Sequence, residues 1–345
     1  MQVDKMIIGG LPEPIGGVSS FLYRFATHCM GENDLFLDLY KAKTKYVIPK
    51  VKVKNTPFNN WLFRYIFIVI NLFTNVSRVV HFHFSGIRSC YIFLFIPKRS
   101  ERWILTLHSG KVGARLGCVS RFDKYFFKKV LAKFEVIHAI SDQQVSFYLD
   151  YVEPQRVIRA PTYIPPSAPL LSQACTEDFV LQEQIGKMKS GGGHILMTSG
   201  YPSRIYNFDK FQSGILMMGD GYYGVVVVYG PGSEEYVSMQ QGRSVDDRVL
   251  WVSGLTQPQF LRLQKEIDCY VRLTESDSFG IAVADSIELG TPVLATDVCK
   301  RYPGTVTIPS HDVEHWTRYL PVKMDLSFGC AAPWGFLSVV DTLYG

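Results

Sequence analysis

The sequence predicts an α/β protein made of two doubly wound, Rossmann-like domains. Three observations lead to that class. Short apolar runs alternate with segments of helical periodicity along most of the chain. Four prolines, Pro161, Pro165, Pro166 and Pro169, break the alternation near its middle and mark a linker. Finally, residues 267–289 read as an apolar strand, a turn of small polar residues and a helix closed by Gly290, the unit that places helix N–H groups beside a phosphate.

Composition narrows the functions. The chain has 345 residues, 47% hydrophobic and 14% aromatic, enough for two packed cores and too apolar for a disordered protein. Seven cysteines without paired spacing argue against a disulfide framework or a zinc finger, and point to a reducing, cytoplasmic setting. No signal peptide is expected, because Met1–Lys5 is polar and Met6–Ile8 is too short. The longest uncharged apolar run, Tyr65–Ser77, has 13 residues, whereas a bilayer needs about 20.

Net charge is +5 and unevenly spread, since Lys41–Lys54 carries six lysines and no acid and is followed by the aromatic-apolar segment Trp61–Phe73. Such a pair suits attachment to an anionic membrane surface. A buried core helix beside a solvated lysine loop is the alternative. No nucleic-acid partner is expected, as no binding-module pattern accompanies the charge.

In chain order, Met6–Gly10 is a strand running into a glycine-rich loop with Gly16 and Gly17, and Val18–Cys29 has a helix face. The loop is not G-x-G-x-x-G, which argues against a dinucleotide dehydrogenase. Strand-like pieces follow at Phe36–Leu39, Val79–Phe84, Trp103–His108, Val136–Ile140 and Val157–Arg159. His83 and His108 stand at strand C-terminal ends, where open α/β sheets bind ligands, and Lys111 and Arg115 come just after. Past the linker, strands are read at Ile195–Ser199, Val225–Tyr229, Val249–Trp251, Ile267–Val271 and Pro292–Thr296, with a helix over Pro258–Lys265. Asp246-Asp247 precedes a strand and does not end one, and His311 and His315 lack an intervening acid, so no metal site is assigned.

The stretch from Asp277 to Val293, D-S-F-G-I-A-V-A-D-S-I-E-L-G-T-P-V, resembles the carboxylate-x7-carboxylate signature of retaining glycosyltransferases of family 4. Phe279, Gly280, Gly290, Pro292 and Val293 fall on the pattern, while Asp277 and Asp285 stand where it has glutamates. Residues 12–18, P-E-P-I-G-G-V, resemble the family's N-terminal proline-and-glycine loop, Ala139–Asp142 its strand ending in Ser, and Val249–Leu255 its nucleoside-base segment.

That resemblance implies a GT-B architecture: two doubly wound Rossmann-like domains facing a cleft, with a C-terminal helix returning to the first. Residues 1–165 would bind the acceptor, 166–190 form the linker, 191–325 bind the nucleotide sugar and 326–345 supply the returning helix. It also implies transfer with retention from a UDP- or GDP-sugar to a lipid-linked or polysaccharide acceptor, such as O-antigen lipopolysaccharide, capsule or exopolysaccharide. No metal and no tightly bound cofactor would be needed, and the protein would sit peripherally on the inner face of the cytoplasmic membrane.

In the implied site, His108 and Asp277 are catalytic, His108 bonding the sugar and Asp277 orienting it, with Glu275 able to replace Asp277. Gly16, Gly17, Arg204, Asn207 and Lys210 would hold the diphosphate side of the donor, Arg204 foremost. Ser278, Phe279, Gly280 and Ile281 would line it from the second loop, and Asp285 would take the ribose hydroxyls. The alternatives are a nucleotide-sugar 2-epimerase of the same architecture and a non-catalytic membrane-bound protein that keeps the fold.

Overall fold

The computed structural model describes residues 2–345 except 13–15, 41–47, 59, 85, 109–120, 173–178, 244–245 and 321–335. Lys111, Arg115 and the first three lysines of the basic run therefore lie outside the described residues, as do 326–335 of the C-terminal segment. The chain divides into two compact units, Met1–Glu13 with Val18–Ile164 and Pro333–Gly345, and Pro14–Gly17 with Pro165–Ala332.

Unit 1 is built on seven parallel strands in the order β3-β2-β1-β4-β5-β6-β7. They are β1 Gln2–Gly9, β2 Leu35–Asp38, β3 Lys52–Asn55, β4 Val76–Phe84, β5 Arg102–Leu107, β6 Val136–Ala139 and β7 Val157–Arg159. Both directions of winding start from the centre, where Met6 of β1 pairs with Leu35 on one side and Val80 on the other. The helices are α1 Gly17–Cys29, α2 Trp61–Thr74, a 3-10 helix Ile87–Leu94, α3 Arg121–Leu131 and α4 Asp142–Leu149. Asn60 caps α2, its Oδ1 accepting from Leu62 N–H at 2.9 Å.

Alternation along β4 sets up two cores. Phe82 and Phe84 join Trp103, Phe93, Phe127 and Tyr148 on one face. His81 and His83 point to the other, where Phe21 and Phe25 of α1 meet the C-terminal segment. That segment is a 3-10 turn Phe336–Val339 and a single helical turn α10, Val340–Tyr344. Phe336 lies edge-on to Phe21 and Phe25, and Tyr344 stacks on Phe25. Strand β3 was not read from the sequence, because Lys52-Val53-Lys54 looks like the end of a charged run; lysines are common on an edge strand, where they discourage further pairing.

Unit 2 has six parallel strands in the order β10-β9-β8-β11-β12-β13. They are β8 His194–Gly200, β9 Tyr222–Val228, β10 Val249–Ser253, β11 Cys269–Arg272, β12 Val293–Thr296 and β13 Val306–Ile308. Helix α5 Phe179–Ser190 precedes them, and between them run α6 Phe208–Met217, α7 Ser233–Arg243, α8 Gln257–Glu266 and α9 Ile281–Glu288. A Thr256/Gln259 capping box with a proline in the first turn starts α8. The α/β class with two doubly wound sheets is thus the one that the residue pattern predicted.

Helix α9 stops for a visible reason. Gly290 takes φ +80°, Thr291 N–H returns to Ser286 O at 2.8 Å and Gly290 N–H to Ile287 O at 3.0 Å. Those two bonds make a Schellman motif, which needs a residue without a Cβ at the glycine position. Thr291 Oγ1 then donates to Gln264 O at 2.6 Å and Gln264 Nε2 to Ser286 Oγ at 2.6 Å, fastening α9 to α8. The G-T-P end of the motif is therefore a packing device.

Candidate active site

In a doubly wound sheet the ligand crevice opens where the strand order reverses, at the carboxyl ends of the strands. In unit 2 that point lies between β8 and β11, and the two loops leaving it are tied together. Asn207, in the left-handed region at φ 50°, donates its side-chain amide to Leu273 O at 2.7 Å, and Glu275 N–H donates to Ile205 O at 2.9 Å. The Asn207 amide nitrogen thus has a structural acceptor.

Under these loops sits a buried charge cluster. Asp277 Oδ2 accepts from Arg272 Nε at 3.1 Å and from Arg301 Nη1 at 2.9 Å. The side chains are 7% exposed for Arg272, 11% for Asp277 and 2% for Arg301. Two guanidinium groups against one carboxylate leave one positive charge over, in a place where it is weakly screened. Burial alone would raise the Asp277 carboxyl, but Arg272 and Arg301 outweigh it and hold the group below the usual carboxylate range. For Arg272, burial acts to lower and Asp277 to raise, and the net direction is upward.

Each arginine is locked further. Arg272 Nη1 donates to Ser199 O at 2.9 Å and its guanidinium lies 5.0 Å from the Tyr206 ring centre. Arg301 donates from Nε to Thr296 O at 2.8 Å and from Nη2 to Thr274 Oγ1 at 3.2 Å. Asp277 Oδ1 accepts from Ser278 N–H at 3.0 Å. With about four lone-pair sites on a carboxylate, Oδ1 keeps one for a further donor.

Gly280 begins α9 at φ +80°, and a Cβ there would come within 2.9 Å of Arg301 Nη1 and 3.2 Å of Asp277 Oδ2. Only glycine lets the helix start against this cluster. The first turn of α9, from Ile281, leaves N–H groups without intrahelical partners.

The remaining predicted residues are placed as follows. Arg204 is exposed at the start of the 3-10 turn Arg204–Tyr206, while Lys210 on α6 pairs with Glu314 at 2.9 Å. Glu275 is exposed, Ser278 and Phe279 are half-buried, and Asp285 is buried on the inner side of α9. Gly16 and Gly17 group with unit 2; a Cβ on Gly16 would strike the Tyr201 hydroxyl, and one on Gly17 would touch Ile281 at 3.5 Å. At the end of β10 a cleft of about 480 Å³ is lined by Trp251, Ser253, Leu255 and Gln259, with Leu181 and Gln184 of α5. Asp246 is paired with Arg248 at 2.7 Å, and among the described residues no cluster of side chains could hold a metal ion.

Unit 1 brings His108 into a group of four histidines at the ends of β4, β5 and β6. His83 Nδ1 and His108 Nε2 share a hydrogen bond of 3.1 Å, and the buried His83 Nε2 has no partner. Beside them runs a chain whose direction can be deduced. Ala160 O can only accept, so His138 Nε2 donates to it at 2.8 Å and His138 Nδ1 must accept from Thr106 Oγ1 at 2.9 Å. The Thr106 hydroxyl, its proton used, accepts from His81 Nε2 at 2.7 Å, and His81 Nδ1 accepts from the Tyr344 hydroxyl.

The chain requires neutral imidazoles, and burial supplies them. Desolvation, helped by His138, pushes His108 down to about 3 from 6.5, and desolvation takes His138 to about 4. His81 and His83 are also driven well below the ordinary value, first by burial and then by their neighbours.

Sequence reasoning missed Arg272, Arg301, His81 and His138. Two of these had signals: an arginine ending an otherwise buried strand, and the H-F-H alternation that sets His81 and His83 on one face. Arg301 lies in an irregular segment after β12 and had none.

No protein-family model and no curated protein sequence matches the chain. Solved structures do. HepE of Anabaena, in complex with UDP and glucose, has a TM-score of 0.66 at 11% identity, covering 92% of this chain and 88% of that one. The chain has the GT-B fold. An α,α-trehalose-phosphate synthase (UDP-forming) from Burkholderia xenovorans, in complex with glucose-6-phosphate, gives 0.65 at 10% identity over 92% and 91%. Sucrose-phosphate synthase from Thermosynechococcus elongatus gives 0.64 at 12% over 92% and 88%. At such identities the likeness carries the fold and not the residues.

Proposed function

We propose that the protein is a glycosyltransferase that moves a sugar from a nucleotide diphosphate donor to a hydroxyl on a lipid-linked or polysaccharide acceptor, with retention. The observation that carries this reading is the uncompensated positive charge of Arg272, Asp277 and Arg301, set beneath the glycine-started helix α9 at the switch point of unit 2. HepE with UDP and glucose, and a synthase described as UDP-forming, support a UDP-sugar as donor. The family 4 motif supports residues 191–325 as the donor domain and 1–165 as the acceptor domain. Attachment to the inner face of the cytoplasmic membrane belongs to the same reading.

Negative charge builds on the diphosphate as the sugar–oxygen bond breaks. Arg204 on its exposed turn and the N–H groups of Ile281 and Ala282 at the start of α9 stabilise that charge, with the buried arginine pair adding a positive field. Oriented donors of this kind are worth about 3–4 kcal/mol each in other enzymes. Asp277 Oδ1 uses its remaining lone pair for a hydroxyl of the transferred sugar, and Asp285 takes the ribose. In unit 1, the same reading gives His108, kept neutral by burial, the role of a hydrogen-bonding partner for a sugar hydroxyl.

Thermal-shift titration with UDP, UDP-glucose and GDP-sugars tests the donor site, and mass analysis of products with lipid-linked acceptors tests the reaction. Stabilisation by a UDP compound, reduced in Arg204→Ala, is expected. No stabilisation by any nucleotide sugar sinks the enzyme reading and favours a non-catalytic role.

A further inference from the structure

Helix α2 lies over the same sheet face as the 3-10 helix and α3, because Ile68 and Leu72 share a core with Phe93, Phe127 and Val130. That contact uses a narrow edge of α2, on which Ile68, Asn71 and Leu72 are buried. A second apolar stripe faces solvent. Leu62, Ile66, Ile70 and Phe73, at positions i, i+4, i+8 and i+11, are between 43% and 53% exposed. Trp61, on the first turn of the same helix, is 68% exposed, and Phe95, just past the 3-10 helix, is 85% exposed. Apolar surface gathered in this way marks an interaction site on a soluble protein.

Helix α3 continues this layer, joined to the 3-10 helix by the Tyr91 hydroxyl donating to Asp123 Oδ1 at 3.2 Å. Its own outer side carries Phe122 and Tyr125, 68% and 55% exposed, among Arg121, Lys124, Lys128 and Lys129. Asp123 is the one acid of that helix. At the far end of α2, the Arg99 guanidinium lies 4.8 Å from the Phe73 ring centre.

The charges choose between occupants. A second copy docking through the same face would bring a second set of cations against these. An anionic lipid surface accepts both features, the aromatic and aliphatic side chains entering the headgroup and upper acyl region while the cations meet phosphates. We propose that the outer layer formed by α2, Phe95 and α3 is the face with which unit 1 docks on a bilayer rich in anionic lipid. This names the partner surface for the reading above, and rests on that reading only for its biological purpose.

Co-sedimentation with vesicles tests it, using phosphatidylcholine alone and phosphatidylcholine mixed with phosphatidylglycerol. The full chain binds the mixed vesicles, more weakly as salt is raised. Leu62→Glu with Ile70→Glu weakens binding at least about tenfold, and Lys124→Glu with Lys128→Glu removes the preference for phosphatidylglycerol. Melting temperature and nucleotide-sugar thermal shift stay as in the parent, which shows that the variants are folded. Equal binding to both vesicle types, or binding indifferent to the glutamates, overturns the proposal. So does a concentration-dependent dimer abolished by the same glutamates, which assigns the face to a second copy. No donor or acceptor enters the assay, so failure of the parent chain to bind either vesicle refutes the docking face alone and leaves the transferase reading standing.

Discussion

Thr106 turns two histidines into fixed parts of a core. Its single proton sets the direction of the chain from Tyr344 to the Ala160 carbonyl, and every ring in that chain is neutral. Thr106→Val keeps the shape, strands a His81 N–H and a His138 lone pair, and should cost about 2–4 kcal/mol in urea unfolding. The same histidines give a pH dependence whose sign is fixed. Their folded values lie below the unfolded value of 6.5, so the unfolded chain binds more protons in acid. Stability is therefore full above pH 6.5 and is lost as pH falls from there through about 4 for His138 towards about 3 for His108. Melting temperature followed by circular dichroism should drop over that window, with a shallower acid limb in His138→Gln. At this scale the sequence was half legible. His108 was singled out by its place at a strand end and Asp277 by the family 4 motif, but the partners that determine their state, His138, Arg272 and Arg301, come from strands and turns that neither signal reaches.

At the scale of elements, α9 shows how closely local geometry and charge are joined. Its glycine start, its Schellman stop and its anchoring to α8 leave little freedom in where the first turn points. Gly280→Ala would force a left-handed alanine against Arg301 and should lower stability by about 1–2 kcal/mol, measured by chemical unfolding. If the turn also holds the donor, the thermal shift with UDP-glucose shrinks as well. This element was almost wholly legible in sequence, because capping and turn chemistry are local. Strands β3 and β13 were not, since a three- or four-residue edge strand has too short a pattern to show a period, and charged residues on β3 mask it. For α2 the sequence offered a membrane-docking segment or a buried core helix, and it could not show the division between a buried edge at Ile68, Asn71 and Leu72 and an exposed stripe, because a nearly unbroken apolar run has no visible face.

At the scale of the whole molecule, the chain returns to where it began. Phe336, Leu343 and Tyr344 are buried in unit 1 against Phe21, Phe25 and His81, although β7 is the last strand of that unit's sheet. Removing residues 336–345 would uncover two phenylalanines and leave His81 Nδ1 without its hydroxyl. The truncated chain should melt at a lower temperature and expose surface that binds a hydrophobic dye, with the loss confined to probes in unit 1. Unchanged melting would mean that the C-terminal turn contributes nothing to that core.

The direction of synthesis gives this arrangement a timing. Strands β1–β7 leave the ribosome first, yet the side chains that cover Phe21 and Phe25 arrive only after all of unit 2 has been made. At roughly 5–20 residues per second, that is a delay of about 10–35 s. During it the nascent first half waits with an open apolar face and an unsatisfied histidine chain. A holding chaperone should therefore capture ribosome-bound chains stalled before residue 336 and release those extended past 345.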